Sequence, residues 1–399
     1  AGYGRDEIAE AAATQARRLP YYHTFSGMAN EPAARLADRL VALAPGDMSK
    51  VFFGSSGSET NDTQAKIVRY YHAVLGKPEK KKIISRLGAY HGSTLAGASM
   101  SGMPHMHRGF ALPLEDFVHV DSPHFWRNAP DGMSEVEFSR SLAKNLEECI
   151  LSHGPDTVGA FIAEPVQGAA GVITPPEGYF EAVVPVLRKH DVLFIVDEVI
   201  CGFGRLGEWW GSHLYGLEPD LVSTAKGLTS GYVPMSACII SDRVWSVLRE
   251  GSAEYGPFAH GYTYSGHPVA AAAALANLDV IEREGLVEHA ARMGAYLQTS
   301  LREAFADHEL VGEVRGVGLI AGVELVEDRA TKKPFDLSRG VTRRLQQLLM
   351  EEGLLCRPLF NTLAFSPPLV LGEEDVDSIV AMFSRGLDRL TVELRRPHP

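Results

Sequence analysis

The chain has 399 residues, 45% of them hydrophobic and 22% charged, which fits a soluble globular protein with room for two domains. Its net charge of -12, with no Lys/Arg block set against it, argues against a nucleic-acid partner. No apolar run approaches the ~20 residues that a membrane-spanning helix needs.

In chain order, residues 5–18 predict an amphipathic helix. A second begins at Asn30-Glu31-Pro32, a cap followed by an early proline, and runs to about residue 43. Strands and helices then alternate. Residues 50–53 read as a strand and 59–75 as a helix; 82–85 as a strand, with a helix after His91-Gly92-Ser93-Thr94. Helices at 135–151 and 178–189 flank a strand at 158–163, and apolar runs at 192–198 and 221–224 complete the series. That βαβα order predicts an α/β fold with a mostly parallel sheet covered on both faces. Beyond residue 267 the pattern changes. Two long helices, 268–284 and 286–306, precede strands at 314–319 and 320–325, a helix at 338–351 and a last helix at 374–392, which predicts a smaller α+β domain.

Lys80-Lys81-Lys82 reads as a solvated strand entry. The four cysteines are widely spaced, without a C-x-x-C, and fit reduced thiols of a cytoplasmic protein. Among the fifteen histidines, His105-x-His107 is the closest pair and lacks acidic or cysteine neighbours, so no metal site is expected. The start, Ala1-Gly2-Tyr3-Gly4, has neither an initiator Met nor a signal-peptide core and reads as the inside of a longer chain.

The most informative stretch is Val192-Leu193-Phe194-Ile195-Val196-Asp197-Glu198, followed 29 positions after Asp197 by Lys226. Open parallel sheets bind ligands at their strand C-termini, so this strand delivers carboxylates to such an edge. An acid and a lysine at one site suit a cofactor with a basic ring nitrogen and an aldehyde, namely pyridoxal phosphate. The same two residues also fit a salt bridge at a sheet edge. Gly54-Ser55-Ser56-Gly57-Ser58-Glu59-Thr60-Asn61 joins a strand to a helix, and its backbone N–H groups and hydroxyls suit a phosphate, or an ordinary capped helix. Tyr90, at another strand-to-helix turn, is able to stack on a flat ring. Gly202-Phe203-Gly204-Arg205-Leu206-Gly207 matches G-x-G-x-x-G, yet it neither follows its strand directly nor opens an amphipathic helix, and no Walker lysine is present.

Together these segments resemble the class III pyridoxal-phosphate aminotransferases, the ω-transaminase family of fold type I, over nearly the whole chain. The matching motifs are Ser56-Gly57-Ser58-Glu59-Thr60-Asn61-Asp62, Tyr90-His91-Gly92, Glu164-Pro165-Val166-Gln167-Gly168, Asp197 through Arg205, Ala225-Lys226-Gly227 and Tyr262 through Pro268. Thr60 replaces the usual alanine. The resemblance implies a large domain, 29–284, with a seven-stranded sheet that binds the cofactor. A small domain at 285–399 would be completed by residues 1–28, with the family's N-terminal segment missing. It implies that Lys226 holds the cofactor as a Schiff base and shuttles the proton, and that Asp197 pairs with the ring nitrogen. Tyr90 and Val199 would cover the two ring faces, with His91 nearby. Ser56, Gly57 and Ser58 would hold the phosphate, joined by Thr263 from a second subunit. Glu164 would lie near the phenolic oxygen. The implied assembly is a homodimer or a dimer of dimers.

The same resemblance implies that Arg357 binds a keto-acid carboxylate, with Tyr22, Phe25, Ser93 and Ala169 lining the substrate pocket. Pro358, where relatives carry Ala, and Leu206, where they carry Thr, leave the substrate range open. Ile200 points to the amine–pyruvate branch. The implied reaction is ping-pong transfer of an amino group from an amine or ω-amino acid to a keto acid such as pyruvate. An aminomutase, racemase or decarboxylase would use the same residues, and a nucleotide-binding protein without this cofactor stands as a third reading.

Overall fold

The central strands are apolar on both sides, which a sheet covered on both faces requires. The computed structural model describes residues 1–395. The last four residues of the expected 285–399 domain therefore lie outside the described residues. β1 (Met48–Gly54), β2 (Lys82–Arg86), β3 (Phe117–Val120), β4 (Val158–Ala163), β5 (Leu193–Asp197), β6 (Leu221–Thr224) and β7 (Ser236–Ser241) form one seven-stranded sheet. Its order is β1-β7-β6-β5-β4-β2-β3, and only β7 runs against the others. The sheet is mostly parallel, as the alternation of elements predicts.

Strand alternation sends neighbouring side chains to opposite faces. Phe161 and Ala163 of β4, with Phe194 and Val196 of β5, pack on Phe138, Leu142 and Leu146 of helix Glu135–His153 and on Phe180, Val183 and Leu187 of helix Tyr179–Lys189. Ala160, Ile162, Leu193 and Ile195 pack instead on Ile67, Val68 and Tyr71 of helix Gly57–Val74. Local chemistry sets the helix starts. α1 spans Asp6–Arg18 and α2 spans Glu31–Leu43, where the Asn30 side chain accepts from the Ala33 amide. α3 spans Gly57–Val74, two residues earlier than predicted, because Ser56 takes the cap and its hydroxyl accepts from the Glu59 amide at 3.2 Å. The Gly202–Gly207 run forms turns and opens no helix.

Contacts divide the chain into two compact units. The first holds residues 1–165, 175–203 and 209–284; the second holds 166–174, 204–208 and the chain from Gly285 onward. In the second unit, β8 (Val311–Val317), β9 (Ile320–Asp328), β10 (Lys333–Pro334), β11 (Arg357–Leu359) and β12 (Thr362–Phe365) form an antiparallel sheet, with β8 and β12 both paired to β9. Helices Leu286–Phe305, Val341–Glu351 and Glu373–Arg395 accompany it. Arg315, buried on β8, reaches Glu324 at 2.5 Å and donates to the Gly171 carbonyl, holding the 168–171 turn within this unit.

The lysine run departs from its expected role. Lys80 is buried, with only 2% of its surface exposed, and its Nζ donates to the carbonyls of Pro155 (3.0 Å) and His190 (2.9 Å). His190 is the C-terminal cap of helix Tyr179–Lys189, an end that attracts a cation. The lysine's long stem lets its head reach two carbonyls at once. Next to it, Gly159 lets β4 pass close: a Cβ there would sit 2.4 Å from the Lys80 carbonyl oxygen and 2.8 Å from Val68 Cγ1. Gly159→Ala is expected to lower stability by about 1–3 kcal/mol through overpacking, read as a lower denaturant midpoint; an unchanged midpoint would show that the strand yields freely.

Candidate active site

The C-terminal ends of β2, β4, β5 and β6 and the start of α3 surround one cavity of about 360 Å³ in the first unit. Its lining includes Ser56, Gly57, Ser58, Asn61, Tyr90, His91, Glu164, Asp197, Val199, Ile200 and Lys226. Parallel strands end on the same edge, so residues far apart in sequence arrive together.

Asp197 ends β5 and is almost wholly buried. Its Oδ2 lies 2.8 Å from His91 Nδ1 and accepts from Asn61 Nδ2 at 2.9 Å, while Oδ1 accepts from the Val199 amide at 3.1 Å. Burial pushes the carboxyl's pKa up, but His91, Asn61 and the Val199 amide outweigh it and hold the group below the ordinary aspartate value. Asn61 also donates to the His91 carbonyl at 2.7 Å, tying α3 to the turn after β2.

Glu164 follows β4. Arg86, buried at the end of β2, donates to the Glu164 carbonyl (2.6 Å) and to its carboxylate (2.9 Å). The other carboxylate oxygen accepts from the Tyr90 amide at 3.1 Å, so Glu164 fixes the backbone that carries the Tyr90 ring. Lys226 follows β6 and opens a short 3-10 turn, Lys226–Thr229, with a positive φ of 34°.

The other predicted residues fall elsewhere. Thr263 lies in an exposed turn, its carbonyl accepting from Tyr21 Oη at 2.9 Å. Tyr22 and Phe25 are exposed and stack on His23, with ring centroids 4.8 and 6.0 Å apart. Among the described residues the cavity lining includes none of these three. Ser93 donates its amide to Ser58 Oγ at 3.0 Å. Ala169, in the 168–171 turn, and the exposed Arg357, on β11 opposite Ala364, belong to the second unit. Sequence reasoning gave Asn61 no role, although it stands one helical turn beyond Gly57 and so on the same side of α3 as the loop. It also gave no role to Arg86.

The family described as Aminotransferase class-III matches residues 1–387. The chain belongs to the class III aminotransferases. It is 51% identical to the diaminobutyrate--2-oxoglutarate transaminase of Halomonas elongata over 399 residues, covering 99% of this chain and 85% of that protein. It is 45% identical to the putrescine--pyruvate aminotransferase of Pseudomonas aeruginosa over 389 residues, covering 97% and 84%. The solved ω-transaminase of Pseudomonas jessenii in complex with PMP superposes with a TM-score of 0.96 at 48% identity, covering 98% of this chain and 86% of that one. This aminotransferase is thus an enzyme that transfers amino groups, of the fold type I class, and its family uses pyridoxal phosphate.

The cavity's own groups fit that cofactor. The first amides of α3 have no carbonyl partner within the helix and face the side where a phosphate gains from the helix dipole. A Cβ at Gly57 would come within 2.9 Å of Val199 Cγ2, and one at Gly92 within 2.6 Å of Ser58 Oγ, so both glycines keep the backbone close to the cavity. Asp197, a buried acid held below its usual pKa, suits a protonated ring nitrogen.

Glu198, beside Asp197, has a different job in this enzyme. It is fully buried and accepts from the Gly211 amide (3.0 Å), the Ser212 amide (2.6 Å) and Ser212 Oγ (2.7 Å). Burial pushes its carboxyl up to about 7, with the three donors pulling the other way and the Asp197 charge adding to the rise. A carboxyl raised on folding contributes stability that is complete below about pH 4.5 and is lost as pH rises through about 7. From about pH 5 to about pH 8, the melting temperature should therefore fall by a few degrees relative to Glu198→Gln. Parallel pH profiles of the two proteins would remove this account.

Proposed function

We propose that this enzyme moves an amino group from a primary amine or ω-amino acid to a keto acid, with pyruvate the first acceptor to test, in a ping-pong cycle. The observation that carries the reading is the pairing in one cavity of Lys226 with an Asp197 kept anionic by His91 and Asn61. Bound pyridoxal phosphate supplies an aldehyde carbon that carries the amino group and a ring that accepts the electron pair released at the donor carbon. Lys226 Nζ would hold the cofactor at that carbon and would serve as the base that moves the proton at the donor carbon. An Asp197 oxygen would hold the ring nitrogen's proton, which favours the electron-accepting ring. Tyr90 and Val199, both lining the cavity, would cover the ring and exclude water. Ser56, Gly57 and Ser58 would hold the phosphate at the start of α3, and Glu164, fixed by Arg86, would serve the phenolic oxygen.

We assign the working unit as a homodimer, with Thr263 of each copy completing the phosphate site of the other. Tyr21, Tyr22, Phe25 and Tyr264 are exposed near Thr263, and Tyr21 and Tyr264 meet edge-on at 5.8 Å, a surface suited to burial against a second copy. The diaminobutyrate and putrescine transaminases among the relatives support a donor whose amine ends a short chain. Their names divide between 2-oxoglutarate and pyruvate, and Ile200 in the cavity lining supports pyruvate here. Arg357 takes the keto-acid carboxylate with its planar guanidinium.

Purified protein mixed with pyridoxal phosphate should gain visible absorbance, and borohydride should fix the cofactor at Lys226. Lys226→Ala should lose turnover by ~10³-fold or more. A wild-type protein that gains no colour would overturn the reading. A panel of short diamines, ω-amino acids and aryl-alkyl amines, each run with pyruvate and with 2-oxoglutarate, identifies both partners; amine consumption independent of keto acid would exclude transamination. Arg357→Ala should raise the keto-acid KM by ~10- to 100-fold while leaving the half-reaction with an uncharged amine nearly intact. Equal loss in both half-reactions would remove the carboxylate role.

A further inference from the structure

Asn277 stands out as a wholly buried amide in an apolar helix. Helix Pro268–Arg283 buries Ala270, Ala271, Ala273 and Ala274, small residues that let another backbone approach. Asn277 is 0% exposed, and every bond it makes outside its own helix goes to the turn that begins at Lys226. Its Nδ2 donates to the Gly227 carbonyl at 2.9 Å and to the Leu228 carbonyl at 3.0 Å. Its Oδ1 accepts from Ser230 Oγ at 2.6 Å. The two carbonyl acceptors fix which way the amide faces.

The turn needs such a hold. Lys226 has φ 34° and Ser230 has φ 48°, both in the left-handed region that side chains disfavour. A backbone in that region persists only where its surroundings over-determine it. The turn also packs closely on Phe203: a Cβ on Gly227 would lie 3.1 Å from Phe203 Cβ.

We propose that Asn277 is the positioning residue for Lys226: its amide holds the 227–230 turn so that the lysine's backbone keeps its left-handed conformation and its side chain is aimed at the cofactor's aldehyde carbon. Asn277 touches neither substrate nor cofactor in this role. The inference rests on the reading of Lys226 given above.

The test compares two probes on apo-enzyme. Pyridoxal phosphate reacts with Lys226, whereas pyridoxamine phosphate has no aldehyde and binds without it. Asn277→Asp keeps the shape but turns a carboxylate oxygen toward two carbonyls, and Ser230→Ala removes the bond onto Oδ1 together with the one that Ser230 Oγ accepts from the Ala1 amino group at 2.7 Å. Asn277→Asp should slow the growth of visible absorbance with pyridoxal phosphate by ~10- to 100-fold. It should also move the midpoint pH of that absorbance and leave the Kd for pyridoxamine phosphate within about twofold. Ser230→Ala should act in the same direction by a few-fold, and it decides the matter if the aspartate variant does not fold. Equal weakening toward both probes, or a lower melting temperature with an unchanged rate and midpoint, would overturn the proposal and leave Asn277 a structural residue. A wild-type enzyme that gains no colour overturns the Lys226 reading, and this one with it; a coloured wild type with unaltered variants overturns this one alone.

Discussion

A carboxylate buried at the tip of a central strand must find donors or take up a proton. Asp197 finds three, and each comes from a different element: His91 from the turn after β2, Asn61 from α3, and the Val199 amide from its own loop. Satisfying this one acid thereby locks together the parts that line the cavity. Asn61 shows the economy of the arrangement, since the same Nδ2 reaches both the carboxylate and the His91 carbonyl. Anything that moves α3 or the Tyr90-His91 turn also unsettles the charge of Asp197.

Strand order turns that local constraint into a site. β4, β5 and β6 are parallel neighbours, so their C-terminal ends deliver Glu164, Asp197 and Lys226 to one edge. β2, beside β4, brings Arg86 to the same edge, where it neutralises Glu164. A buried guanidinium between a carbonyl and a carboxylate is costly to desolvate, and its worth lies in fixing where Glu164 points rather than in stability. Glu164 then fixes the Tyr90 amide, so the aromatic ring over the cavity is positioned from the sheet itself.

Much of this was legible in the residues. The apolar runs of β4, β5 and β6 and the amphipathic helices carry strong periodic signals, and their observed spans match the predicted ones closely. β3, four residues long, β7 and the helix Asp242–Tyr255 gave too little pattern to be foreseen. The site motifs could be read because glycine loops, a strand-end acid and a lysine sit at chain positions where type and place coincide. Partners such as Arg86, Asn61 and Asn277 carry no such mark, since their roles depend on which strands become neighbours. The one available signal for Asn277 was a polar residue among alanines and leucines at 269–278. Lys80 failed for the opposite reason: three lysines in a row look solvated, and only the fold brings two carbonyls within reach of the first.

Asp197 and Glu198 show how far backbone geometry decides chemistry. They are adjacent and both acidic, yet successive residues of an extended strand point to opposite sides. Asp197 lines the cavity, among donors that hold its pKa down. Glu198 turns away from it, toward Gly211 and Ser212, where burial raises its pKa to about 7. Glu198 binds the backbone just after Trp210, whose indole donates to the Leu43 carbonyl at 2.6 Å, so its carboxyl helps seat the loop that follows β5. Exchanging the two residues would leave composition and charge untouched and would empty both positions of their function. At a strand end, an acid's role follows from the side on which it falls, and a shift of one residue is enough to turn a cavity-lining acid into a structural cap.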